Sequence, residues 1–227
     1  MKYNTVLFDA DGTLFDFDKC ERQALIKVLT GFDISISEQM ILDYSKINDG
    51  FWKMLELGQI DKKSLKVRRF DVFCKKYGIC IDPVRVADSY VLALAEQSEF
   101  IDGACDMCKK LSENCRLYII TNGIKYVQEK RINNSALKPY FLDVFISEEI
   151  GCEKPNKAYF EAVSSKIYDF DRKSTLVVGD SLSSDIKGGL NFGLDVCWFN
   201  PKKVPKPFDM KINYTIDSLF ELSNIIY

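Results

Sequence analysis

The 227-residue chain contains no histidine. Without imidazole, Ser-His-Asp and Cys-His nucleophilic centres and histidine-ligated metal sites are excluded. Any proton transfer falls to Asp, Glu, Lys, Tyr or Cys. No apolar run approaches the ~20 residues that a membrane helix needs. The opening residues, Met1-Lys2-Tyr3-Asn4-Thr5, have neither the apolar stretch nor the small-residue cleavage site of an export signal. The expectation is a cytoplasmic protein with no membrane partner. Charge of one sign is also missing: 31 Lys and Arg stand against 33 Asp and Glu, a net charge of -2. That balance gives no general pull toward nucleic acid, so none is expected as a partner, and any anion site must be local. The eight cysteines are scattered, and only Cys105 and Cys108 form a CxxC pair. With no second pair to complete a zinc site, their i, i+3 spacing reads as one packed face of a helix, and the thiols as reduced.

What is present suffices for a folded domain plus a smaller one: 47% of residues are hydrophobic and 28% charged. From Gly103 onward short apolar runs alternate with helical patterns. Residues 117–120, 143–146, 175–178 and 195–199 read as strands. Residues 104–111, 124–132, 157–167 and 184–192 read as helices, with Asn156 capping one and Gly193 closing another. Val6-Leu7-Phe8 supplies a further strand at the start. Strands that are apolar throughout and separated by helices imply a parallel sheet covered on both faces. Such sheets bind ligands beyond the carboxyl ends of their strands. Residues 21–29, 37–47, 51–57, 63–77 and 84–95 instead show helical periodicity and no strand. The chain is therefore expected to be α/β, a Rossmann-like three-layer parallel-sheet core of residues 1–14 and 96–227. An all-helical domain of residues 15–95 is inserted in it as a lid over the first strand's end.

Chemistry-bearing residues follow the predicted strands. Asp9-Ala10-Asp11-Gly12-Thr13 places two carboxylates two residues apart before a tight glycine turn, a nucleophile and a general acid/base on one loop. Thr121-Asn122, Lys154-Pro155 and the Gly179-Asp180-Ser181-Leu182-Ser183-Ser184-Asp185 stretch lie at or after later strands. In order and spacing these four pieces resemble the haloacid dehalogenase superfamily, over the whole chain.

The resemblance implies a role for each residue. Asp9 would attack phosphorus, giving an acyl phosphate that hydrolyses more readily than the ester. Asp11 would protonate the leaving oxygen and then take a proton from water. Its presence points to phosphoryl transfer, because halide leaves without a proton. Thr121, with Thr13 and the backbone near Asn122, would hold the phosphoryl oxygens. Lys154 would offset the negative charge. Mg²⁺ would be bound by Asp9, Asp180 and the main-chain carbonyl of Asp11, with Asp185 bonding through water or orienting Lys154.

The insert directly after the first motif corresponds to a C1 cap in that superfamily. Residues 48–60 with Arg68-Arg69-Phe70 look like the branch of pyrimidine 5′-nucleotidases. That implies a small phosphorylated metabolite, a nucleoside 5′-monophosphate foremost, as substrate. Phe51 and Trp52 are candidates to stack its base, or else to pack the cap's own core. Other readings are a sugar-phosphate or N-acylneuraminate-phosphate phosphatase, a β-phosphoglucomutase-like phosphotransferase, or a catalytically silent binding module. Oligomeric state leaves no mark in the sequence.

Overall fold

The run Thr5–Asp9 forms strand β1 with every residue buried, as expected of an apolar strand covered on both faces. The computed structural model describes residues 2–227. Five further strands, β2 (Arg116–Thr121), β3 (Asp143–Ile146), β4 (Thr175–Gly179), β5 (Asp195–Phe199) and β6 (Tyr214–Ile216), join β1 in one sheet of order β3-β2-β1-β4-β5-β6. Every pairing is parallel; Asp9 stands opposite Ile120, and Phe8 opposite Val178. The first strand made is thus the centre of the sheet, and its carboxyl end lies between those of β2 and β4.

The two-residue period of the strands divides the core. Val6, Phe8, Leu117, Ile119, Leu176 and Val178 pack toward α5 (Ala104–Ser112), α6 (Lys125–Asn133) and α10 (Leu222–Ile226). Leu7, Ile120, Val177, Val196 and Trp198 pack toward α8 (Lys157–Lys166) and α9 (Lys187–Phe192). A short helix, α7 (Ser147–Ile150), follows β3. Asn156 caps α8 by accepting from the Ala158 N–H. Where the pattern predicts one helix over 184–192, the backbone forms a π-helical turn, Leu182–Ile186, that runs into α9. Cys108 is buried on α5's core face and Cys105 half-buried, both as free thiols. Among the described residues no helix is long and apolar enough to cross a membrane.

The chain divides into two compact units, one of residues 1–16 and 100–227, the other of residues 17–99. The second consists of four helices, α1 (Phe17–Gly31), α2 (Glu38–Glu56), α3 (Lys62–Tyr77) and α4 (Pro83–Ala95). Ser37, Asp61 and Asp82 cap the last three. The separate helical segments read at 37–47 and 51–57 form one helix, α2, which runs through Gly50 although a glycine costs about 1 kcal/mol in a helix interior. Burial of Phe51 and Leu55 against Leu65 of α3 outweighs that cost.

The middle of this unit is polar as well as aromatic. The Asn48 amide donates to Glu21 at 2.7 Å and accepts from Arg69 Nη1 at 2.6 Å. The Arg69 guanidinium, almost fully buried, lies 5.2 and 5.0 Å from the ring centres of Phe70 and Tyr90. Burial pushes the Glu21 carboxyl up from 4.5 to about 7, outweighing the hydrogen bonds from Ser45 and Asn48 and the charge of Arg69. Between those values the folded chain holds a proton that the unfolded chain has lost, so stability falls as pH rises through that window. The contribution is about 3 kcal/mol. Urea midpoints of the wild-type protein and Glu21→Gln should therefore diverge between pH 5 and pH 7.5, the variant losing less. Parallel profiles would show that Glu21 titrates normally.

Candidate active site

Asp9 is the last residue of β1, and the chain turns back at once. The Gly12 N–H donates to Phe15 O, and Leu14 and Phe15 N–H both donate to Ala10 O, each at 2.9 Å. Gly12 adopts a φ of 89°, and a Cβ on it would lie 2.6 Å from Asp180 Oδ2, so only glycine fits between the two aspartates' loops. The Thr13 hydroxyl, fully buried, faces Asp180 Oδ1 at 3.5 Å.

Thr121 ends β2. Its Oγ1 accepts from the Gly123 N–H at 2.9 Å and from Gln128 Nε2 at 3.1 Å. A hydroxyl has two lone pairs and one proton, so these bonds leave the O–H as a donor for an incoming oxygen. The Asn122 side chain grips the backbone of Lys154 at both ends, donating to its carbonyl and accepting from its N–H, each at 2.9 Å. The adjoining Lys154-Pro155 bond is cis. Held this way, Lys154 Nζ donates to Asp9 Oδ1 at 2.7 Å, Asp185 Oδ1 at 2.7 Å and Ile120 O at 2.8 Å, with the whole side chain buried.

Asp180 follows β4, and the Trp198 indole N–H donates to its carbonyl at 2.9 Å. Ser181 caps the π-helical turn that carries Asp185, and its own N–H donates to Asp185 Oδ2 at 3.1 Å. Asp185 thus spends one oxygen on Lys154 and the other on Ser181.

Asp9, Asp180 and Asp185 present carboxylate oxygens within 4.8 Å of one another. Ionised, three carboxylates against the one Lys154 ammonium leave two negative charges in a largely buried cluster. The titration behaviour follows. Burial, then the Asp185 charge, pushes Asp9 well above the usual carboxylate range despite Lys154. The same causes push Asp180 up to about 7. Burial by itself would lower Lys154, but Asp185 and Asp9 outweigh it and hold the ammonium charged. An all-oxygen donor set with an excess of two negative charges fits a hard divalent cation such as Mg²⁺, which would let both carboxyls ionise.

The other residues singled out by sequence fall in two places. The Asp11 carboxylate is not part of the acidic cluster. It receives Gln128 Nε2 at 2.5 Å and the buried guanidinium of Arg131, both from α6. Phe51 is nine-tenths buried in the helical unit, with Leu55 and Leu65, and Trp52 packs half-buried against them. Sequence reasoning missed Gln128, Arg131 and Trp198. For Gln128 and Arg131 the available signal was polar residues three apart on a helix whose inward face would otherwise be apolar.

A haloacid dehalogenase-like hydrolase profile matches residues 3–193, and the chain belongs to that family of enzymes. Among its individual relatives is the Bacillus subtilis protein YfnB, named as a HAD hydrolase and 39% identical over 99% of this chain and 96% of its own length. A magnesium-bound crystal structure of YfnB, described as revealing interdomain movement, matches with a TM-score of 0.95 over 100% of this chain and 99% of that one. Two relatives at more than 30% identity are named for pyrimidine nucleotides. Pyrimidine 5′-nucleotidase PynA of Streptococcus pneumoniae is 36% identical over 98% of this chain and 94% of its own. Pyrimidine 5′-nucleotidase YjjG of Escherichia coli is 31% identical over 100% of this chain and 99% of its own.

Proposed function

We propose that this chain is a Mg²⁺-dependent phosphatase of small phosphate monoesters, with pyrimidine nucleoside 5′-monophosphates as its main substrates. The observation that carries the reading is the buried Asp9–Lys154–Asp185 array beside Asp180, at the carboxyl ends of adjacent strands. The substrate class is supported by the two nucleotidases that the chain resembles along its whole length.

Asp9 attacks phosphorus through a carboxylate oxygen, the P–O bond to the nucleoside breaks, and Asp11 delivers a proton to the departing oxygen. Water then attacks the phosphorus of the aspartyl phosphate while Asp11 takes its proton, and the bond to Asp9 breaks to release phosphate. Lys154 stays charged between Asp9 and Asp185, which offsets the repulsion between carboxylate and phosphate. The Thr121 hydroxyl donates to a phosphoryl oxygen. Mg²⁺, held by Asp9 and Asp180 with Asp185 behind them, would supply further charge neutralisation at the phosphoryl group.

Phosphate release from a panel containing UMP, dTMP, purine nucleotides and hexose phosphates tests this reading. UMP and dTMP should lead, and EDTA should abolish turnover. Mg²⁺ at about a hundred times its dissociation constant should also raise stability by about 2.7 kcal/mol, read as a shift in Tm. Preference for hexose phosphates would reject the nucleotide assignment, and full activity after exhaustive chelation would reject the metal.

A further inference from the structure

We infer that Gln128 and Arg131 are positioning residues for phosphoryl transfer, fixing the proton carrier Asp11 relative to the phosphoryl-binding hydroxyl of Thr121. The inference rests on the proposed phosphatase reading and extends it to a helix that none of the strand-end motifs contains.

Three observations carry it. First, both oxygens of Asp11 are engaged by α6: Oδ1 by Arg131 Nη1, Oδ2 by Gln128 Nε2. Two donors on two oxygens fix the plane of a carboxylate as well as its place. Second, the same Gln128 nitrogen donates to Thr121 Oγ1 at 3.1 Å, so one amide ties the loop after β1 to the end of β2. Third, the fold makes room for these contacts. A Cβ on Gly123 would sit 2.1 Å from Gln128 Nε2, so that glycine is the opening through which the amide reaches. Arg131, fully buried, stacks with its guanidinium carbon 4.3 Å from the centre of the Phe15 ring, and Phe15 O closes the turn by accepting from Gly12 N–H.

A leaving oxygen of high basicity needs a proton as its bond to phosphorus breaks; p-nitrophenolate does not. If α6 acts through Asp11, its loss must therefore weigh on alkyl esters and spare activated aryl esters. kcat/KM reports only the steps through release of the alcohol, so later hydrolysis of the aspartyl phosphate does not blur the comparison. The experiment measures kcat/KM of the Mg²⁺-loaded wild type, Gln128→Met, Arg131→Lys and Arg131→Met with UMP and with p-nitrophenyl phosphate, and Tm for each.

The expected result is a fall of about tenfold or more with UMP and of about threefold or less with p-nitrophenyl phosphate. In an Asp11→Asn background, the same substitutions should cost less than about twofold further, because the group they position is gone. Equal losses on both esters, or additive losses in the Asp11→Asn background, would mean that α6 merely supports the fold, and would overturn the inference. Should Arg131→Met not fold, Gln128→Met and Arg131→Lys give the same comparison. A wild-type protein that hydrolyses neither ester would overturn the phosphatase reading itself, an outcome distinct from losses among the variants.

Discussion

Asp9→Asn is expected to lower kcat with UMP by about 10⁴- to 10⁶-fold, the scale on which loss of a nucleophile acts in covalent catalysis. The amide cannot form the aspartyl phosphate, and two nearby carboxylates are already engaged. Asp185 has one oxygen on Lys154 and the other on the Ser181 N–H, and Asp11 is held by α6. The fold should survive. The substitution loses one bond to Lys154, which keeps Asp185 and Ile120 O. It also relieves the burial and like-charge repulsion that push Asp9 well above the usual carboxylate range. These effects oppose each other, so stability should stay within about 1 kcal/mol of wild type. Phosphate release and thermal melts on the same preparation check both halves. Turnover within about a hundredfold of wild type would place the nucleophile elsewhere.

Lys154→Met should strike the fold and the chemistry together. Its ammonium pairs with two buried carboxylates, Asp9 and Asp185, and removing one partner of a buried ion pair costs about 3–5 kcal/mol. For a chain of this size that is a fall in Tm of roughly 6–20 °C, with UMP hydrolysis lost. Adding Asp185→Asn to Lys154→Met removes the charge left most exposed to the loss, and should recover part of the Tm while restoring no activity. A double variant no more stable than Lys154→Met would show that packing by the lysine stem, rather than charge compensation, holds this region.

The strands were readable because they are apolar throughout, and the residues at their carboxyl ends came with them: Asp9, Thr121 and Asp180 stand where β1, β2 and β4 stop. Lys154 was harder. Nothing local aims a lysine inward; the Asn122 side chain, from another loop, does so by holding its backbone. The resemblance assigns the backbone near Asn122 to the phosphate; the side chain of the same residue has this separate task. Gln128 reaches Asp11 across 117 residues of chain, a distance over which periodicity carries no information. The break read between residues 47 and 51 has a related reason: the helical pattern is local, and the contact with Leu65 that α2 makes is not.

The order β3-β2-β1-β4-β5-β6 bears on how the chain is made. β1 leaves the ribosome before its two neighbours in the sheet, which begin at residues 116 and 175. Until they emerge, Val6-Leu7-Phe8 has no ladder to join and is a sticky segment within reach of chaperones. The helices of residues 17–99 wait less, since α4, which packs on α1, ends at Ala95, before β2 begins. During translation the inserted unit should thus be native while the strand that bears the nucleophile is still unpaired.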